Sequence, residues 1–369
     1  MTEWLSGTLD VLCEVEYGTR VTRKRDGGTK YPVYGGGGAT FNLDDFNRED
    51  QMIVSRFAMS EECVRFVPGK FFLNDSGLTV RTRDESKMSQ EFLDQQLLAR
   101  SNEIYATARG TAQKNMDMTM FRNMELAIPD SLEEQKRIVA LLDAATARVT
   151  ELTACYEQAR THANNLFASA LRDALESNPD WPVKTLGDIV CFESETARSE
   201  DLSSRDVYVG LENIASDGTL IGLGSVSAET LKSNKARFTD KHILFGKLRP
   251  YLVKVVRPDF PGVCSTDILP LEPTAELSRD FLYWYMRSPA VIEGATEAST
   301  GTTLPRVSPT TLKSFEISVP PLEEQKRIVA RLDLIRAKTS EMVAAYDSKL
   351  TAAKNLRQSI LESAFEGKL

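Results

Sequence analysis

The chain has 369 residues, 41% of them hydrophobic and 27% charged, with 45 Lys and Arg against 53 Asp and Glu for a net charge of −8. That length supports two or three domains with cores of their own, and no apolar run approaches the roughly 20 residues that span a bilayer. The acidic balance argues against a protein that simply coats nucleic acid; five cysteines, odd in number and far apart, argue for reduced thiols in a cytoplasm.

The N-terminal stretch MTEWLSGTLDVLCEVE is acidic and lacks the basic-then-apolar order of a secretion signal. His162 and His242 have no metal-ligand spacing to each other or to a cysteine. Residues 1–128 carry 16 basic and 19 acidic side chains, and 179–318 carry 15 and 19. Any contact with nucleic acid must therefore come from local clusters.

Along residues 1–128, short β-rich runs such as QMIVSRF and KFFLN alternate with turn signals, and a helical pattern follows at Glu91–Ser101. RVTRKR places Arg23, Lys24 and Arg25 together, and Arg56 follows QMIVS. In YPVYGGGGATF, the four glycines Gly35, Gly36, Gly37 and Gly38 can bring backbone N–H groups close to a phosphate or a base edge. The plain alternative is a flexible turn; no Gly-Lys-Ser/Thr follows, so the run is not a P-loop. GTAQKN offers Gln113, Lys114 and Asn115, and amide and cationic side chains can read base edges.

LEEQKRIVA then occupies Leu132–Ala140 and recurs letter for letter at Leu322–Ala330. The match extends outward without gaps from Gly110–Pro129 onto Gly301–Pro320, and upstream the likeness places Asp75 near Asp267. After each nonamer the apolar residues recur in alternating steps of four and three, a heptad seam. In the first copy the seam runs through Ile138, Leu142, Val149, Leu152, Tyr156 and Leu166; in the second, through Ile328, Leu332, Ile335, Met342, Tyr346, Leu356 and Ile360. A narrow seam on a long helix needs a partner helix. The duplicate is the natural one, in antiparallel orientation, because a globular unit is inserted between the two. Such a rod spans about 50 Å from Ile138 to Ala170 at 1.5 Å per residue. The plain alternative packs each helix on its own globular unit.

Residues 179–318 repeat the mixed α/β pattern, with DVYVGL, HILFGKL and YLVKVV as β-rich runs and a helical pattern at Ser278–Arg287. VYVGLENI stands where the first unit has its glycine run, offering Gly210, Glu212 and Asn213. HILFGKLRPYLVKVV sets Lys247, Arg249 and Lys254 around Tyr251, cations interleaved with an aromatic as suits a phosphate backbone; the plain alternative is a solvated edge strand. GTTLPR adds Thr302 and Arg306. Neither unit has the regular βαβ spacing of a doubly wound sheet. The sequence has no Walker A lysine, no amino-methyltransferase motif and no convincing nuclease carboxylate cluster, so a chain that binds or measures is expected, with no metal site.

ILFGKLRPYLVKV, GVCSTDILPL, GTTLPRVSPTTLKSFEISVPPLEEQKRIV and YPVYGGGG together resemble the specificity subunit of type I restriction–modification systems. The resemblance covers the whole chain. It implies an α+β architecture: target-recognition domains at 1–128 and 179–318, alternating with repeated helices at 129–178 and 319–369 that form an intramolecular antiparallel coiled coil, in a pseudo-two-fold arrangement. It implies a non-catalytic chain that reads a bipartite, asymmetric double-stranded DNA target and docks two methyltransferase subunits, with restriction subunits able to join, in a bacterial or archaeal cytoplasm with no membrane role. By the same resemblance this chain binds no cofactor itself; S-adenosylmethionine, ATP and Mg belong to the partner subunits. The competing reading is a two-headed coiled-coil scaffold for proteins with no DNA role.

Overall fold

The computed structural model describes residues 4–175, 180–192, 195–198, 202, 206–225 and 234–365. The chain divides into two compact units. The first comprises Met1–Glu157 with Ser348–Leu369, and the second comprises Gln158–Asp347. Two helices of 44 residues, Leu132–Leu175 and Leu322–Phe365, contribute to both. Each opens with two glutamates in its first turn, where carboxylates face the positive end of the helix dipole.

The first unit is built on a six-stranded sheet with the strand order Cys13–Tyr17, Gly77–Thr82, Arg48–Ser55, Val64–Leu73, Tyr31–Gly35, Gly38–Leu43. All its pairings are antiparallel except Tyr31–Gly35 with Val64–Leu73. The second unit keeps the central pairings: Ile268–Pro273 lies between Val190–Cys191 and Ile243–Gly246, and Val207–Val209 runs parallel to Gly262–Cys264. Here the ten-residue strand Val64–Leu73 has become two, Val255–Val256 and Gly262–Cys264. Pro258 and Pro261 lie between them and lack the N–H groups a continuous ladder needs. The run YLVKVV, expected as strand, begins instead as a 3-10 turn over Pro250–Leu252.

Each unit closes with a short antiparallel pair, Trp4–Thr8 with Glu125–Pro129 and Val183–Thr185 with Glu316–Ser318, and each carries a helix capped by serine. Ser89 Oγ accepts the Phe92 N–H at 3.2 Å, and Ser278 Oγ accepts the Phe281 N–H at 3.1 Å, satisfying donors that a helix start leaves free.

The long helices pair antiparallel inside each unit. In the first, Ile138 and Leu142 share a core with Leu361 and Ala364, the Phe92 and Phe365 rings lie 5.3 Å apart, and the Lys349 ammonium sits 5.3 Å from the Tyr156 ring. In the second, Leu171 shares a core with Ile328 and Leu332, the Arg336 guanidinium covers Phe167 at 5.2 Å, and Arg160 pairs with Asp347 at 2.9 Å. The start of one helix thus lies beside the end of the other in both units.

The seam departs from a strict heptad. Ile138, Leu142, Val149, Ile328 and Leu332 are buried and Tyr156, Ile335, Tyr346 and Ile360 are half-buried. Leu152, Leu166, Met342 and Leu356 are instead 47%, 55%, 40% and 51% exposed. Thr153 and Phe167 take the inward places in the first helix, Val343 and Leu350 in the second. A straight helix of 3.6 residues per turn drifts ~20° per heptad against a 3.5 repeat. The packed stripe follows the straight helix, and inward positions fall at eleven-residue steps at 145, 156 and 167 in the first helix and at 328, 339, 350 and 361 in the second.

Candidate nucleic-acid interface

In the first unit, three loops meet at the end of strand Arg48–Ser55. Arg56 donates its backbone N–H to Ser76 O at 2.8 Å, and its own carbonyl accepts from Met116 N–H at 2.8 Å. Two residues on, Ala58 adopts a left-handed backbone with φ 49°. Its N–H reaches Asn115 Oδ1 at 3.3 Å, while Met59 N–H donates to Lys114 O at 2.9 Å. The glycine turn lands on the same place: a Cβ on Gly36 would stand 2.1 Å from Phe57 O. Gly36 N–H donates to Ser76 Oγ at 3.1 Å, and behind the turn the Arg65 guanidinium serves the carbonyls of Gly35 and Gly36. Gly38 has φ 105°, whereas a Cβ on Gly37 would meet nothing within 4 Å. So the run is a hairpin turn in which Gly35 and Gly36 are crowded, Gly38 is left-handed and Gly37 is the open tip.

Around this junction the Arg56 guanidinium lies 4.9 Å from the Tyr17 ring and 4.5 Å from that of Phe57, and the Lys114 ammonium lies 4.5 Å from the Tyr105 ring. Gln113 is exposed and Asn115 half-buried. Arg23, Lys24 and Arg25 stand apart from this cluster. Their four-residue helix leads into Gly28, whose N–H donates to Asn42 O at the hairpin's other end, and Arg25 is paired with Asp26 at 2.8 Å.

The second unit repeats the junction at a constant offset of 191 residues. Lys247 N–H donates to Asp267 O at 2.9 Å, and Lys247 O accepts from Val307 N–H at 3.1 Å. Arg249 stands where Ala58 does and is left-handed too, with φ 51°; its N–H donates to Pro305 O at 2.8 Å and its guanidinium to Thr303 O at 3.2 Å. The backbone therefore equates Ser76, one residue beyond Asp75, with Asp267. Gly35 and Gly210 follow equivalent strands, since Asn74 N–H donates to Tyr34 O as Ser265 N–H does to Val209 O.

The side chains differ. Arg306 grips Asp267 through two hydrogen bonds of 2.9 and 3.0 Å, and this pairing holds the Asp267 carboxyl below its ordinary range. Thr300 and Arg306 exchange backbone bonds of 3.0 and 2.9 Å, closing a tight loop that leaves Thr302, Thr303 and Leu304 exposed. Lys254 turns inward: its ammonium donates to Leu211 O at 2.5 Å and Ile214 O at 2.9 Å. Asn213 likewise braces its own turn, accepting from Gly210 N–H and donating to Ile221 O and Gly222 O, and the Glu212 carboxylate folds over Gly210. Lys254, Asn213 and Glu212 are thus framework of the 210–214 turn, whereas Lys247, Arg249, Tyr251, Thr302 and Arg306 gather at the junction.

Sequence reasoning missed Arg65 and Arg287. The latter is buried and donates to Val253 O, Val255 O and Ser216 O; burial pulls its pKa down. It also missed the repeated glutamines Gln135 and Gln325, for which identity within the duplicated nonamer was the available signal.

A family model described as the type I restriction modification DNA specificity domain matches residues 1–159 and again 178–351. The type I restriction enzyme EcoDI specificity subunit of Escherichia coli is 32% identical over 152 residues, 41% of this chain and 34% of that protein. The StySPI specificity subunit of Salmonella potsdam is 24% identical over 291 residues, covering 73% and 62%. The chain thus spans about a third and three fifths of these curated relatives. A solved chain described under complex assembly and conformational transition of the type I R-M system matches the full length of both chains, with a TM-score of 0.77 and 19% identity. The HsdS subunit from Thermoanaerobacter tengcongensis gives 0.54 and 20% over 99% and 97%. These likenesses establish the fold, and the family match across both segments places the chain in the family of type I restriction–modification DNA specificity domains.

Proposed function

We propose that this chain is the non-catalytic, sequence-reading subunit of a type I restriction–modification complex. In this reading, the residues 1–128 and 179–318 each recognise one half of an interrupted double-stranded DNA target, and the helical segments 129–178 and 319–369 set the spacer. The observation that carries the proposal is the duplicated junction. One backbone scaffold, with a left-handed residue at Ala58 and at Arg249, displays unlike side chains in the two units: glycine turn, Gln113 and Lys114 in one; Arg249, Tyr251 and Leu304 in the other. Unlike readers on like frames imply unlike half-sites and an asymmetric target. Phosphate contacts would supply most of the affinity and its salt dependence, and base-edge contacts the selectivity.

Two methyltransferase subunits complete the complex in this proposal, and restriction subunits can join it. The apolar residues Leu152 and Leu166, with Met342 and Leu356 at the matching places of the second helix, stand exposed in both copies and form the repeated surface assigned to those partners. Adenosylmethionine, ATP and Mg enter with the partner subunits, and the complex acts in a bacterial or archaeal cytoplasm. No helix among the described residues is long and apolar enough to cross a membrane. Co-purification after DNase treatment tests the assembly: recovery of a methyltransferase subunit is expected, and recovery of unrelated proteins alone would favour a protein scaffold.

A further inference from the structure

The constant offset lets the two junctions be compared position by position. Where the first unit has Ser60, Glu61 and Gln113, the second has Tyr251, Leu252 and Leu304. These three are 51%, 38% and 47% exposed. Large apolar side chains left in water forgo the gain of burial, so their display where the first unit has polar residues calls for an explanation.

The backbone that carries them is held stiffly. Arg249 N–H is bonded to Pro305 O, Leu252 N–H to Arg249 O and Val253 N–H to Pro250 O, and Leu248 bridges Arg306. Arg249 and Val253, both at φ 51°, flank the 3-10 turn; a left-handed backbone is a genuine outlier for a β-branched residue. Buried Arg287 clamps the far side through Val253 O. Strain of this kind persists where the surroundings impose it and gathers at sites of contact. At the root of the turn stand Lys247 and Arg249, while Asp267 neutralises Arg306. Cations around an apolar tip fit a polyanion that presents an apolar group, and in the DNA major groove that group is the thymine C5-methyl.

We infer that the second unit reads its half-site through thymine methyl contacts made by Tyr251, Leu252 and Leu304, whereas the first unit, with Ser60, Glu61 and Gln113 in the same places, reads by hydrogen bonds. The inference rests on the DNA-reading role proposed above.

The test uses the full chain assembled with its methyltransferase partner and duplexes bearing the target mapped by methylation sequencing. Deoxyuridine replaces thymine in one half at a time, which removes only the methyl group. Binding is expected to weaken about 3- to 10-fold for one half and less than about 2-fold for the other. Tyr251→Ala and Leu304→Ala complexes should lose that sensitivity, and a Gln113→Ala complex should keep it. Selective binding with neither half responding to uracil, or a target lacking thymine, overturns this inference and leaves DNA reading intact. Absence of selectivity for any duplex overturns both. Release of the partner by Leu304→Ala, with base preference unchanged, would identify the patch as a protein contact and also overturn it.

Discussion

Gln135 and Gln325, 190 positions apart, are both fully buried and make the same three hydrogen bonds. Gln135 Oε1 accepts Ser89 N–H at 2.9 Å while its amide donates to Lys87 O and Pro129 O at 2.7 and 3.0 Å. Gln325 Oε1 accepts Ser278 N–H at 2.7 Å and its amide donates to Glu276 O and Pro320 O at 2.9 and 2.8 Å. Each glutamine ties the first turn of a long helix to the cap of the neighbouring serine-capped helix. Eight positions on, Asp143 accepts from Gln95 at 2.7 Å and Asp333 from Trp284 at 3.0 Å. The repeated glutamine and aspartate are therefore joints between helix and globular unit.

Gln325→Leu would strand one N–H and two carbonyls without partners, at ~1–3 kcal/mol for a buried unsatisfied group. Urea denaturation should show a loss of about 2–4 kcal/mol, with a comparable loss for Gln135→Leu. The two lie in separate units and should add to within ~0.5 kcal/mol. A loss below about 1 kcal/mol for either variant would contradict this role.

The glycine run divides by position. Gly36→Ala would drive a Cβ into Phe57 O, whereas Gly37→Ala meets no atom within 4 Å. Gly36→Ala should cost about 1–3 kcal/mol, as overpacking does, and blur one half of the target; Gly37→Ala should change stability by less than ~0.5 kcal/mol. Thermal unfolding and methylation motifs of the two variants check this, and equal effects would refute it.

Inward positions such as 145, 156, 167 and 328, 339, 350, 361 recur at eleven residues, so an insertion of eleven into both helices, near Tyr156 and Tyr346, should preserve pairing. Such an insertion adds about 16 Å at 1.5 Å per residue, or roughly five base pairs at 3.4 Å. The methylation motif should keep both half-sites and gain a spacer of that order. An unaltered spacer in a folded variant would rule out the helices as its determinant.

Asp94 supplies a pH signature. Burial pushes its carboxyl up to about 6, with the Gln90 hydrogen bond opposing and Glu91 adding. The folded protein therefore keeps a proton that the unfolded chain releases near the ordinary value of 3.8, and stability falls as pH rises through that window. Asp94→Asn should stabilise the protein by about 1–2 kcal/mol at pH 7 and have no effect below about pH 4. A gain that persists at low pH would point to another cause.

Much of the fold was legible because duplication prints itself on sequence. The nonamer and its flanks marked both long helices, and alternating apolar runs found Ile243–Gly246 and the heart of Arg48–Ser55. Leu152 and Leu166 fit a heptad but lie outside the packed stripe, because a heptad and a straight helix diverge only after several turns; the polar Thr153 and the one-residue step to Phe167 leave the true inward places unmarked. Lys254 reads in sequence as a phosphate contact since its neighbours are basic and aromatic, yet its ammonium is spent on Leu211 O and Ile214 O. The parallel pairing of Tyr31–Gly35 with Val64–Leu73 joins residues some forty positions apart, and no local pattern announces such a partner.

The central claim is that each junction reads its own half of one interrupted target. Long-read methylation sequencing of cells expressing the wild-type chain and an Arg249→Ala variant tests it most directly. The wild type should give an asymmetric bipartite motif, and the variant should relax bases in one half while the other half and the spacer stay the same. A continuous or symmetric motif, or a variant that alters both halves alike, would contradict it.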